Sequence, residues 1–266
     1  MTMREVPSIF WQEMMKSKQP PLLLCDYDGT LAPFTSERDK AFPWPGVIEE
    51  LRTVIAISGI VVLISGRSIA EVKELSQLET GIEIWGYHGA ERMTVDGIIH
   101  RINLAPLYEA GLEKAWQKAM EESLQTWIER KYVSLALHWR GRNIALYQDK
   151  LKKIMEYWSK LQVEYGLKIL SFNGGVEILA PGFDKGKAVK TILSAYPDSI
   201  CAYLGDDATD EDAFAVLQKR CMGILVSDED RQTLADVRLV PPCEVLSFFR
   251  CWKRCLQEKR GEMNHD

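Results

Sequence analysis

The sequence predicts an open α/β fold with a mainly parallel sheet, interrupted by a smaller inserted α/β domain, and three observations carry that expectation. Three short apolar runs each stop at a polar, glycine-containing turn, and each is followed by a helix-compatible segment. The stretch between the second and third runs has a different rhythm, with long amphipathic patterns and a hairpin signal. At 266 residues and 46% hydrophobic content, the chain is long enough to fill one large core and a second, smaller one.

Leu22-Leu23-Leu24-Cys25 halts at Asp26 and the Gly29 turn, and Ile60-Val61-Val62-Leu63-Ile64 halts at Ser65-Gly66-Arg67. Ile200-Cys201-Ala202-Tyr203-Leu204 halts at Gly205-Asp206-Asp207. Unbroken apolar runs of this length belong to parallel strands covered on both faces, and their alternation with helices makes a Rossmann-like sheet. The middle of the chain reads as an amphipathic helix over residues 107–130, a strand over 133–139, a helix over 150–164 and two strands around Asn173-Gly174-Gly175. Asparagine and glycine both tolerate positive φ, so the last pair reads as a hairpin. The core domain is therefore expected over residues 1–104 with 181–266, and an inserted cap over 105–180. Trp116, Trp127, Tyr132, Tyr157 and Trp158 recur at helical spacing and are expected to pack into a core. The charged tail, residues 259–266, is expected to fray.

Composition narrows the function. The 33 basic and 38 acidic residues leave a net charge of -5, which argues against nucleic acid as the main partner, so a phosphate-bearing ligand must be held by local positive charge. The six cysteines form no C-x-x-C pair and keep no histidine cluster, which suggests neither a zinc site nor a disulfide framework. No leader-like N-terminus and no apolar run of about 18 residues is present, so no membrane association and a reducing, cytoplasmic setting are expected.

The chemistry sits at the strand ends, where open α/β sheets bind ligands. Asp26 and Asp28 stand two residues apart, and so close a pair repels unless a cation lies between them. Asp206, Asp207 and Asp210 supply further carboxylates from another strand end, and an all-oxygen set of this kind suits magnesium better than zinc. A single loop aspartate commonly caps a helix or closes a turn; two acidic strand ends together point to metal and phosphate chemistry.

Asp26-Tyr27-Asp28-Gly29-Thr30-Leu31 resembles the first motif of the haloacid dehalogenase (HAD) superfamily. Ser65 matches the second motif, Lys185 in Asp184-Lys185-Gly186-Lys187 the third, and Gly205-Asp206-Asp207-Ala208-Thr209-Asp210-Glu211 the fourth. A cap between the second and third motifs resembles the type II arrangement. Within that group the segments Leu31-Ala32-Pro33, Ser65-Gly66-Arg67, Gly86-Tyr87-His88-Gly89-Ala90-Glu91, His138-Trp139-Arg140 and Val176-Glu177-Ile178 look like the trehalose-6-phosphate phosphatases, which usually carry tyrosine where Trp139 stands.

The resemblance implies a magnesium-dependent hydrolase of a small-molecule sugar phosphate. Asp26 would attack phosphorus, and Asp28 would serve as general acid and then base. Ser65 and Lys185 would bind the phosphoryl oxygens. Mg2+ would be held by Asp26, the Asp28 carbonyl and Asp206, with Asp207 or Asp210 orienting its water shell. Arg140, His138 and Glu177 in the cap, with Arg67, His88 and Glu91 in the core, would contact the sugar, and the cap would open to admit substrate and close to exclude water. Two alternatives stay open: action on another sugar phosphate, including a mutase that needs a bisphosphate activator, and a silent sugar-phosphate sensor.

Overall fold

The computed structural model describes residues 6–35, 37–172 and 174–263. Its strands are β1 (Leu22–Cys25), β2 (Ile60–Ile64), β3 (Glu83–Gly86), β4 (Glu91–Met93), β5 (Ile99–Arg101), β6 (Ile128–Arg130), β7 (Ser134–His138), β8 (Lys168–Phe172), β9 (Gly175–Leu179), β10 (Cys201–Gly205), β11 (Cys221–Val226) and β12 (Val237–Leu239). The α-helices are α1 (Ser8–Lys16), α2 (Val47–Ala56), α3 (Ile69–Ser76), α4 (Pro106–Glu121), α5 (Gln148–Tyr165), α6 (Lys185–Ala195), α7 (Asp210–Phe214) and α8 (Cys243–Met263). The chain divides into two compact units, Met1–His100 with Asp184–Asp266, and Arg101–Phe183.

The first unit is built on an eight-stranded sheet in the order β12-β11-β10-β1-β2-β3-β4-β5. Every pair from β12 to β3 is parallel, and β4 turns back antiparallel to β3. The apolar runs of β1, β2 and β10 form strands as expected because alternate side chains enter two separate cores. Leu23, Cys25, Val61 and Leu63 pack with Phe10, Leu51, Val72, Phe249 and Trp252 of α1, α2, α3 and α8. Leu22, Leu24, Val62, Ile64 and Tyr203 pack on the other face with Val189 and Ile192 of α6 and Phe214 of α7.

The second unit carries the antiparallel sheet β6-β7-β9-β8 with α4 and α5. Trp158 is fully buried and Trp127 nearly so, as core packing requires, whereas Trp116, Tyr132 and Tyr157 are only half-buried. Helix α4 stops at Glu121 and does not run to residue 130. Ser123 takes a left-handed backbone (φ 57), and the chain then pairs Ile128–Arg130 antiparallel to Leu135–Leu137. Sheet pairing thus overrides a helical hydrophobic pattern that continues past the true end. The hairpin between β8 and β9 forms, while Asn173 in its turn lies outside the described residues. The expected frayed tail is instead helical through Met263: Lys259 is buried and donates to the Gln19 carbonyl at 3.0 Å, while residues 264–266 lie outside the described set. Among the described residues, no helix is long and apolar enough to cross a membrane.

Candidate active site

Sheet register assembles the site. Cys25 pairs with Leu204 on one side and Leu63 on the other, so Asp26, Ser65 and Asp206 leave the sheet at the same edge. The Asp26 N–H donates to the Leu204 carbonyl at 2.9 Å, which fixes the first acidic residue against the strand carrying the others. Two glycines make the approach of the acids possible. A Cβ on Gly29 (φ +77) would stand 1.9 Å from Asp206 Oδ2, and one on Gly205 would stand 2.3 Å from Asp210 Cγ.

Carboxylate oxygens of Asp26, Asp206 and Asp210 lie within 4.8 Å of one another. Lys185 is carried into this group by α6, whose N-terminus is capped by the Asp184 side chain accepting from the Lys187 N–H at 2.7 Å. Its Nζ lies 2.9 Å from both Asp26 Oδ1 and Asp210 Oδ1. Asp210 is fully buried; its Oδ2 accepts from the N–H groups of Asp206 and Asp207, both at 3.0 Å, and its Oδ1 also accepts from the Tyr203 hydroxyl. Asp207 is different. It is exposed, and its Oδ1 accepts from the N–H and hydroxyl of Thr209. Of the two acids left open as outer contacts, Asp210 is the one that joins the carboxylate group.

The acids crowd one another electrostatically. Burial pushes the Asp26 carboxyl well above the usual range; Lys185 pulls it down, and Asp210, Asp206 and Asp207 add to the rise. Burial, followed by the charges of Asp210 and Asp207, pushes Asp206 up to about 7. The Lys185 ammonium is disfavoured by burial, yet Asp210 and Asp26 hold it protonated well above the lysine range. One lysine cannot neutralise this many acids, and the donors are all oxygen, so the residues fit a hard divalent cation. A carboxyl raised on folding from its ordinary 3.8 to about 7 favours the fold below its unfolded pKa, and that contribution is lost as pH rises through 7. The melting temperature of metal-stripped protein should fall between about pH 5 and about pH 8. A divalent cation should raise it more at the higher pH, as differential scanning fluorimetry will show.

Asp28 is held from the side. Arg67, only 4% exposed, donates from Nε and Nη2 to the two Asp28 oxygens, both at 2.6 Å, and from Nη1 to the Arg38 carbonyl at 2.8 Å. Arg67 N–H also donates to the buried Ser65 hydroxyl oxygen at 3.1 Å. The Arg67 fork matches a carboxylate and is used on one here. Glu91 faces the same region of the sheet edge from β4. It is buried and accepts from the Ile69 N–H at 3.2 Å, bracing the start of α3. His88 packs against Gly66, where a Cβ would meet its Nε2 at 2.7 Å, and its N–H donates to the Ser65 carbonyl at 2.9 Å.

The three remaining candidates belong to the second unit. His138 Nε2 lies 3.2 Å from Glu129, and Glu177 pairs with Lys131 at 3.1 Å and accepts from the Ser134 hydroxyl. Arg140 is exposed, and its N–H donates to the Gly174 carbonyl of the hairpin. Tyr203 and Arg231 are site neighbours that sequence reading did not single out. Tyr203 sits inside an apolar run, and Arg231 sits in a charged stretch with no spacing signal.

The trehalose-phosphatase family model matches residues 24–239. A trehalose-phosphate phosphatase of Mycobacterium tuberculosis (strain ATCC 25618 / H37Rv) is 32% identical over 251 residues, covering 90% of this chain and 62% of that protein. Among solved structures, the C-terminal domain of C. albicans trehalose-6-phosphate phosphatase superposes with a TM-score of 0.74 at 20% identity, covering 95% of this chain and 98% of that one. A haloacid dehalogenase-like hydrolase from Bacteroides thetaiotaomicron superposes with a TM-score of 0.65 at 17% identity, covering 87% and 99%. These likenesses establish a HAD-like fold. The chain spans only part of its curated relatives, from 19% of an uncharacterized mycobacterial glycosyl hydrolase to 66% of a probable rice trehalose-phosphate phosphatase.

Proposed function

The chain belongs to the trehalose-phosphatase family, and from that premise we propose that it hydrolyses trehalose 6-phosphate to trehalose and inorganic phosphate, with Mg2+ and through an aspartyl-phosphate. The observation that carries this reading is the group of buried Asp26 and Asp210 with half-buried Asp206, and Lys185 Nζ 2.9 Å from the Asp26 carboxylate. Asp26, Asp206 and the Asp28 main-chain carbonyl would hold Mg2+, with Asp210 orienting its surroundings. When bound, the ion neutralises the phosphate charge that Asp26 would otherwise face.

An Asp26 carboxylate oxygen forms a bond to phosphorus as the bond from phosphorus to the sugar oxygen breaks. Asp28 gives its proton to that departing oxygen, then takes one from the water that attacks the aspartyl-phosphate. Phosphate leaves and Asp26 is restored. Lys185 and the Ser65 hydroxyl hold the phosphoryl oxygens, where negative charge grows in the transition state. Arg67 aims the Asp28 carboxyl. Replacing its planar fork by one ammonium, as Arg67→Lys, should lower kcat by about 10- to 100-fold with KM moved much less, in steady-state assays.

Sugar selection is assigned to the second unit, with His138, Arg140 and Glu177 as the side chains that read hydroxyls. The reading is tested by phosphate release from trehalose 6-phosphate, glucose 6-phosphate, sucrose 6-phosphate and mannosyl-phosphoglycerate, with Mg2+ or chelator. Trehalose 6-phosphate should be hydrolysed far faster than the rest and only with the metal. Preference for another of the four would sink the substrate assignment, and undiminished rates in chelator would sink the metal.

A further inference from the structure

Arg231 lies outside every motif that carries the chemistry, yet it is wired into the metal-side loop. Its Nη2 donates to two consecutive carbonyls, Asp206 at 3.2 Å and Asp207 at 3.0 Å. Its Nη1 pairs with Glu211 at 2.5 Å and donates to the Gln232 carbonyl at 3.2 Å. Glu211 in turn accepts from the Leu234 N–H at 2.8 Å, so the guanidinium is held by a carboxylate that is itself anchored.

The other edge of the same two residues is bonded too, because the N–H groups of Asp206 and Asp207 both converge on Asp210 Oδ2. Hydrogen bonds on both edges of a dipeptide fix its backbone torsions, and with them the direction in which the Asp206 side chain leaves. That direction carries the carboxylate into the space that Gly29 leaves open, beside Asp26. Without the carbonyl-side bonds, repulsion between Asp206 and its acidic neighbours would favour a loop that turns away.

We infer that Arg231, held by Glu211, is a positioning residue that presets the Asp206–Asp207 backbone so that the cation site exists before the ion arrives. The inference rests on the reading of this site as a Mg2+ site, but not on the choice of substrate.

The test is Mg2+ binding by isothermal titration calorimetry to the full chain and to Arg231→Gln and Arg231→Lys, with Arg220→Gln, a surface arginine paired to Asp198, as a control. Both Arg231 variants should weaken Mg2+ by about ten-fold or more, the range seen when groups behind metal ligands are removed, and the control should not. At saturating Mg2+ their kcat should recover and KM should match the parent, a split that general loosening of the fold would not produce. If Arg231→Gln does not fold, Arg231→Lys decides, since it keeps the charge and loses the fork. Unchanged Mg2+ affinity in a folded variant overturns the inference, as does a parent protein that binds no Mg2+. Weakened Mg2+ binding in a protein that ignores trehalose 6-phosphate would leave this inference standing and remove the substrate assignment alone.

Discussion

Asp26→Asn is expected to lower trehalose 6-phosphate turnover by at least about 10^4-fold and, at neutral pH without metal, to raise the melting temperature. The two effects share a cause. The carboxylate proposed as the nucleophile lies beside Asp206 and Asp210, and burial and those charges hold its carboxyl well above the ordinary range. An ionised group with a raised folded pKa costs stability at any pH above its unfolded value, and the cost grows as pH rises through the folded pKa. Asparagine keeps the shape, removes that charge and leaves Lys185 its contact with Asp210. The gain in melting temperature should therefore be larger at about pH 8 than at about pH 5, and should shrink when Mg2+ is added. Loss of activity with loss of stability would show that the ion pair to Lys185 outweighs the repulsion, and would overturn the electrostatic account of the site.

How much of this was readable from residue order depends on where each contact is made. Strands β1, β2 and β10 were legible because a parallel strand covered on both faces must be apolar throughout, and the first polar residue after each marks the strand's carboxyl end. That locates Asp26, Ser65 and Asp206 without coordinates. Edge strand β5 offers no such signal: it is short and exposed along its length. The end of α4 was misread because an amphipathic pattern does not record that Ile128–Arg130 can gain a sheet partner. Arg67 and Asp28 are 39 residues apart, so their pairing depends on the register of two strands and not on local spacing. The distinction between Asp207 and Asp210 was invisible for a related reason. It is decided by which carboxylate folds back to accept the N–H groups of residues 206 and 207, a matter of backbone path that spacing alone leaves open.

Lys185→Met should act oppositely to Asp26→Asn on stability while sharing its effect on activity. The ammonium is 3% exposed and touches Asp26 and Asp210 at 2.9 Å each, so its removal leaves two buried acids facing an apolar methyl group. Breaking a buried pair from one side typically costs about 3–5 kcal/mol, because the surviving charge keeps its desolvation penalty and loses its partner. The loss should depend on pH with a definite sign. The penalty grows with pH as these raised carboxyls give up their protons; toward pH 5 their protonation, Asp206 at about 7 among them, relieves it. Mg2+ should restore part of the stability, since a cation can replace the missing charge. It should not restore turnover, which is expected to stay about 10^2- to 10^3-fold low because Lys185 Nζ, 2.9 Å from Asp26, is the ammonium placed to stabilise the phosphoryl oxygens. Urea unfolding at the two pH values, with and without Mg2+, alongside phosphate release, separates these roles. A variant as stable as the parent at the higher pH would mean that the acids can take up protons at no cost, and Lys185 would then be a phosphate ligand alone.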